Sequence, residues 1–217
     1  MADDVKSQGR RKFVQNCVGL ASSAGVLGLL LASYSKQSEA LPAWALRPPG
    51  ALPEPEFNAA CVRCGLCVRA CPFDMLKLAE LGEDITTGTP YFVAREKPCE
   101  MCKDIPCAAA CPTDALSKQL TDIRDASMGV AVLTGPDTCY AVARGTSCRA
   151  CYLACPIKDE AITMERRHSD GRSYFEPTVH ADKCTGCGKC EHDCVTAEAS
   201  IKVLPLTLAQ HDPAAAR

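Results

Sequence analysis

Between Lys12 and Lys36 the chain carries no charged residue, and the centre of that run, residues 17–32, is rich in Gly, Ala, Ser, Val and Leu. Arg10-Arg11 stands just ahead of it, followed by Phe13. A basic pair before an apolar run of moderate hydrophobicity predicts a twin-arginine export signal. The alternative is a basic patch before a retained anchor, but the many Gly and Ser residues make a weak spanning helix. Ala43-Trp44-Ala45 is the first A-x-A-like cut site and Ser38-Glu39-Ala40 the second. Residues 1–45 are therefore assigned to the signal. Cys17 lies inside it behind Val14-Gln15-Asn16, which is no lipidation signal, and reads as filler. Twin-arginine export carries folded proteins, so it suits a chain that receives a cofactor in the cytoplasm.

Beyond the signal the apolar positions are short and scattered. Residues 46–58 hold Arg47-Pro48-Pro49-Gly50-Ala51-Leu52-Pro53-Glu54-Pro55, which predicts an extended linker without helix. Residues 59–206 form the main domain, and 207–217 a flexible tail. Within the domain, Tyr91-Phe92-Val93-Ala94, Thr113-Asp114-Ala115-Leu116, Asp159-Glu160-Ala161-Ile162-Thr163, Pro177-Thr178-Val179-His180 and Ala199-Ser200-Ile201-Lys202-Val203 suit short strands. Each lies just before or just after a group of cysteines. The repeated unit reads as strand, tight cysteine loop, short helical turn around the last cysteine, strand. Units of this kind predict an α+β fold with little regular secondary structure.

Composition sharpens this. Of 217 residues 17 are cysteine, while aromatics are only 5%, so a large aromatic core is excluded. With 24 basic and 26 acidic residues and no basic stripe, a nucleic-acid binder is excluded too. Loss of residues 1–45 would remove five basic and three acidic side chains and leave a net charge of −4.

Sixteen cysteines fall into four groups. They are Cys61-x2-Cys64-x2-Cys67-x3-Cys71, Cys99-x2-Cys102-x4-Cys107-x3-Cys111, Cys139-x8-Cys148-x2-Cys151-x3-Cys155 and Cys184-x2-Cys187-x2-Cys190-x3-Cys194. First cysteines recur after 38, 40 and 45 residues, an internal repeat. Proline follows the fourth cysteine in three groups and Val195 in the last, which relaxes that turn without removing a ligand. A tight C-x2-C-x2-C loop turns three sulfurs onto one [4Fe–4S] cube, and the fourth cysteine, three residues on, ligates the other cube of a pair. Sixteen ligands predict four [4Fe–4S] clusters, each of about −2 charge when oxidised. Paired units of this kind therefore predict an α+β, tandem bacterial-ferredoxin-like (2 × 2[4Fe-4S]) fold with little regular secondary structure, preceded by the twin-arginine signal. Disulfides are the usual use of exported cysteines, but this spacing and its fourfold repetition suit metal better. Zinc sites use two C-x2-C halves rather than a third cysteine in register.

The partner loops are open to two schemes. Groups one and four share the standard spacing, while two and three each carry an insertion. This favours a nested scheme in which Cys194 completes Cys61, Cys64 and Cys67, and Cys71 completes Cys184, Cys187 and Cys190. Cys155 would then complete Cys99, Cys102 and Cys107, and Cys111 would complete Cys139, Cys148 and Cys151. The adjacent scheme, one with two and three with four, is the alternative.

No catalytic set is visible. His168, His180, His192 and His211 lack zinc spacing to cysteine; His192 lies between two ligands and reads either as an exposed loop residue or as a tuner of potential. Arg63, Arg69, Lys103, Lys183 and Lys189 lie in or beside the loops, either as solvated charges or as groups that raise a cluster's potential. No G-x-G-x-x-G opens a helix after a strand, so no nucleotide cofactor is expected.

Five segments carry a resemblance: Arg47-Pro48-Pro49-Gly50-Ala51-Leu52-Pro53-Glu54, Cys61-Val62-Arg63-Cys64-Gly65-Leu66-Cys67-Val68-Arg69-Ala70-Cys71-Pro72, Gly88-Thr89-Pro90-Tyr91-Phe92, Pro98-Cys99-Glu100-Met101-Cys102 and Pro177-Thr178-Val179-His180. The chain resembles the NapG/MauM ferredoxin-type family from the signal through Leu206, its periplasmic nitrate reductase branch most of all. The resemblance implies an electron-transfer subunit, not an enzyme, on the periplasmic face of the inner membrane. Its donor would be a NapH-like membrane quinol dehydrogenase, through which it associates with the membrane. Its acceptor would be periplasmic nitrate reductase or its cytochrome c subunits. Two other roles stay open: an iron–sulfur maturation factor, which would call for labile or incomplete ligand sets, and the equivalent relay in methylamine utilisation.

Overall fold

The computed structural model describes residues 41–169 and 171–209, with the isolated positions 25, 26 and 28. The signal segment expected at residues 1–45 lies outside these up to residue 40, apart from those three positions. Among the described residues no helix is long and apolar enough to cross a membrane.

The cysteine loops dictate the local structure. Each is followed by a one-turn helix that carries the third cysteine: α2 (Leu66–Ala70), α3 (Pro106–Ala109), α5 (Ala150–Ala154) and α6 (Lys189–His192). The fourth cysteine stands at or just beyond the helix end, rather than inside the turn. To enter these helices the chain passes through left-handed backbone at Gly65 (φ 71°), Ile105 (φ 41°) and Gly188 (φ 88°). Ile105 replaces glycine because the x4 insertion displaces the loop, and a branched residue there stores about 1–3 kcal/mol of strain. All six positive-φ non-glycine residues among those described, Arg63, Asp74, Met101, Ile105, Asp114 and Asp159, belong to the cysteine repeats. The fold bends its backbone where the thiols must converge.

Among the described residues, three two-stranded antiparallel sheets complete the regular structure. β1 (Lys77–Leu78) pairs with β2 (Pro90–Tyr91) between loops one and two. β3 (Val130–Leu133) pairs with β6 (Ile201–Leu204), Val130 opposite Leu204. β4 (Ile162–Ser169) and β5 (Arg172–Val179) form an eight-residue hairpin before loop four. A bridge between Ala51 and Leu116 brackets groups one and two as β3–β6 brackets groups three and four. The chain therefore closes as two similar halves, each with strand-like ends paired around two loops. Of the expected strands, Thr113-Asp114-Ala115-Leu116 shrinks to that bridge, and only Tyr91 of Tyr91-Phe92-Val93-Ala94 lies in a strand, with Phe92 bridging Leu46.

Loop four presses on the first residue before β3. A Cβ at Gly186 (φ +73°) would stand 2.3 Å from the Gly129 nitrogen, so only glycine satisfies both the turn and the contact. Just beside it the Met128 amide donates to the Thr185 carbonyl at 2.9 Å.

The segment expected as a solvated linker is packed instead. Pro48, Pro49 and Phe57 are fully buried, and α1 (Glu54–Ala60) begins directly after Pro53. Pro55 is tolerated because it falls in the first turn, where its missing N–H has no partner to lose. Arg47, only 5% exposed, pairs with Glu54, donates to Thr89 Oγ1 and the Pro90 carbonyl at 2.8 Å, and lies 4.5 Å from the Phe57 ring centre. A buried guanidinium with every face occupied fixes this segment across the first half.

The folded unit also reaches further toward the N-terminus than expected. Ala45 is fully buried and Leu41 nearly so, in a satellite cluster with Ala79, Ile85 and Tyr91. Trp44 stacks edge-on to Tyr91 at 5.7 Å. At the other end α7 (Leu206–Ala209) occupies the start of the expected flexible tail, with Ala209 buried; residues 210–217 lie outside the described residues.

Candidate metal-cluster sites

The main core mixes thiols with aliphatic and aromatic groups. Phe57, Phe92, Leu46, Leu116 and Ile201 are its largest buried side chains, and Cys67, Cys71, Cys99, Cys107, Cys111, Cys187 and Cys190 lie among them. All sixteen group cysteines are free thiols.

They converge in four sets of four. Cys61, Cys64 and Cys67 of loop one meet Cys111. Cys99, Cys102 and Cys107 of loop two meet Cys71 around one pocket. Cys139, Cys148 and Cys151 of loop three meet Cys194 around a second. Cys184, Cys187 and Cys190 of loop four meet Cys155 around a third. We number these sets by their loops. The fourth cysteine does leave its own loop, but the nested scheme is overturned: one pairs with two, and three with four. The physical reason is the closure of each half, by the Ala51–Leu116 bridge and by β3–β6, which brings each fourth cysteine back to its neighbouring loop. The insertions that hinted at kinship between loops two and three are unrelated locally. One places Ile105 in left-handed backbone; the other builds α4 (Tyr140–Arg144) with Gly145 at its end.

The sets fit a multinuclear iron–sulfur group in donor chemistry and surroundings. Their cavities are lined by apolar neighbours such as Ile157, Ile162 and Val203 in set four and Met75, Ile105 and Ile123 in set two. Burial pushes Cys99, Cys107 and Cys151 up to about 12 and Cys67 and Cys187 up to about 11, and the nearby thiols reinforce it. Thiolates packed this closely call for a strongly positive core between them. Among the described residues no three His, Cys, Asp or Glu side chains converge on a single ion position.

Cys111 and Cys194 differ from the rest. Burial pushes both up, but hydrogen bonds reverse the sign and bring them below the ordinary thiol value. For Cys111 the donors are the backbone of Leu116, Thr113 and Ala115 and the Thr113 hydroxyl; for Cys194 they are the Thr196 hydroxyl and the backbone of Thr196, Ser200 and Ile201.

The halves meet at sets two and four. The Cys99 amide donates to the Cys187 carbonyl at 2.8 Å. Thr185 donates to Met101 Sδ at 3.3 Å, and Lys189 pairs with Glu100. Thiols of neighbouring sets act on each other at Cys67–Cys107, Cys99–Cys187 and Cys151–Cys190.

Of the expected cationic tuners, Lys189 is held by Glu100, Lys183 stands 3.8 Å from Asp182, and Arg63 lays its stem over Gly88. His192 is exposed, its Nδ1 at 3.0 Å from the Arg95 carbonyl oxygen. The cation that sequence reasoning missed is Arg95. Its guanidinium donates to the carbonyls of Glu191, His192, Cys194 and Thr196 at 2.7–2.9 Å. No motif marks it, because its partners lie about a hundred residues away.

Comparison with known proteins agrees with the site. A family model described as a 4Fe-4S dicluster domain matches twice, at residues 60–115 and 146–197, one match per half. The chain is 55% identical over 203 residues to the methylamine utilization ferredoxin-type protein MauM of Methylorubrum extorquens, covering 94% of this chain and 92% of that one. It is 52% identical over 205 residues to the ferredoxin-type protein NapG of Haemophilus influenzae, covering 93% and 73%. With NapG of Escherichia coli it shares 50% identity over 214 residues, covering 97% and 92%.

Proposed function

Starting from the fact that this chain belongs to the NapG/MauM ferredoxin-type family of 4Fe-4S electron carriers, we propose that it is a four-cluster relay on the periplasmic side of the inner membrane. It takes electrons from a NapH-like quinol-oxidising membrane partner and passes them to periplasmic nitrate reductase or its cytochrome c subunits. The observation that carries this reading is four complete thiol sets in one core, joined across the halves at Cys99 and Cys187. Under it all sixteen cysteines of the four sets are ligands. Each bound cluster supplies one-electron uptake and release. The chain's own residues hold the thiolates, donate hydrogen bonds to their sulfurs and exclude water with apolar walls. A maturation role would favour incomplete sets, and each set here has four thiols.

The relay is tested by deleting the gene. Quinol-linked nitrate reduction should fall to background, while reduction driven by an artificial dye, which bypasses the chain, should keep its rate. Collapse of the dye-linked rate as well would put the maturation role first. The 55% identity to MauM favours a second reading, the equivalent relay of methylamine utilisation. Intact quinol-linked nitrate reduction with loss of growth on methylamine would establish it instead.

We also propose export by the twin-arginine route with the cut after Ala40 rather than Ala45. The support is the burial of Leu41 and Ala45, which a cut after Ala45 would remove from their cluster with Tyr91. N-terminal sequencing of the exported protein should begin at Leu41; a start at Leu46 would refute the placement.

A further inference from the structure

Among the described residues, set three carries a chain of hydroxyl groups that no other set shares. Thr138 Oγ1 lies 2.9 Å from Ser200 Oγ, Ser200 Oγ lies 3.2 Å from Thr196 Oγ1, and Thr196 Oγ1 lies 3.0 Å from Cys194 Sγ. Thr196 is 8% exposed and Ser200 1%. Buried hydroxyls are retained where they have partners, because an unpartnered one costs about 1–3 kcal/mol. Here the last partner is a sulfur.

The direction of the chain follows from proton counting. A ligating thiolate has no proton, so Thr196 must donate to it. The Thr196 oxygen is then free to accept from Ser200. Thr138, in contact with Ser200, gives its own proton to the Gly135 carbonyl at 3.0 Å. The same carbonyl accepts from the Cys139 amide at 3.0 Å, and the Gly135 amide donates to the Ser200 carbonyl at 2.9 Å. The hydroxyl chain is thus fixed at both ends to set three, at Cys194 and at Cys139.

The repeats supply their own comparison. The residue two places after the fourth cysteine is Phe73 after Cys71 and Ile157 after Cys155, neither with a hydroxyl. After Cys111 it is Thr113, but its hydroxyl stands 3.9 Å from the sulfur. Only after Cys194 is the hydroxyl close and backed by a second one.

We propose that Thr196 is a potential-setting residue, whose hydroxyl, held by Ser200 and Thr138, donates to Cys194 Sγ and raises the reduction potential of the cluster in set three. Reduction adds one negative charge that spreads onto the thiolates. A fixed donor stabilises the reduced form more than the oxidised one, so the potential rises. This rests on the reading of the cysteines as ligands of four clusters.

The test is an EPR-monitored redox titration of anaerobically purified holoprotein, with iron and sulfide measured on each sample. Thr196→Val keeps the shape and removes the donor. It should move one transition to more negative potential and leave the other three in place. Thr196→Ser should restore it. Ser200→Ala, which leaves Thr196 in place but unsupported, should move the same transition part of the way. In resonance Raman spectra Thr196→Val should shift iron–thiolate stretching bands that Thr196→Ser returns. Full iron content with all four transitions unmoved, or all moved together, would overturn the role of Thr196 alone. Iron well short of four clusters in the unaltered protein would overturn the ligand reading and this role with it.

Discussion

Stripping the iron from the purified protein with a chelator should unfold residues 41–209, with loss of the cooperative thermal transition. Before treatment the protein should hold about sixteen iron and sixteen sulfide. The reason lies in the core. Its sheets have two strands each, and its helices one or two turns. What remains when the clusters go is sixteen thiols, all but Cys64 buried or half-buried, drawn together with no positive core between them. Domains of this size are stable by only about 5–15 kcal/mol, and a structural metal site can supply as much on its own. The six strained left-handed residues of the repeats then lose the convergence that holds them. Circular dichroism and calorimetry of the cluster-free protein are the measurements, and a cooperative transition surviving without iron would show a core that stands by itself.

The next largest effect concerns a single ligand. Cys71→Ser should remove or convert the cluster of set two while sparing that of its own loop. Its spectrum should match that of Cys99→Ser and differ from that of Cys61→Ser, with a loss of up to about four iron per chain. The geometry is the convergence of Cys71 with Cys99, Cys102 and Cys107. Cys111→Ser should likewise match Cys61→Ser. Quinol-linked electron flow should fall at least tenfold in both. A match between Cys71→Ser and Cys184→Ser would restore the nested pairing that the structure replaces.

What could be read from the sequence was what is local. The tight loops, their division into fours and the departure of each fourth cysteine to a neighbour follow from spacings of a few residues. Which neighbour it reaches does not, because that is decided by Leu116 returning to Ala51 and by β6 returning to β3. Spacing resemblance between loops two and three pointed the wrong way, since the x4 and x8 insertions answer different local needs. The prolines at 48 and 49 misled for a related reason. Proline forbids certain hydrogen bonds but says nothing against burial, and here both prolines are fully buried beside the paired Arg47. Thr196 left a faint trace, a hydroxyl two places after a fourth cysteine, but the hydroxyls behind it come from Ser200 and Thr138, which no short motif joins.

Arg95 bears on how such a molecule comes to exist. Two halves with a similar closure and the same thiol plan have the form of a duplicated unit. In the present chain the first half sends a guanidinium into the second, where it holds four carbonyls of the turn carrying Cys194. An excised second half would leave those oxygens without their cation, and an excised first half would bare the Cys99 amide. Each half thus takes part of its scaffolding from the other, so that neither can be lifted out without leaving backbone groups of the other unpartnered.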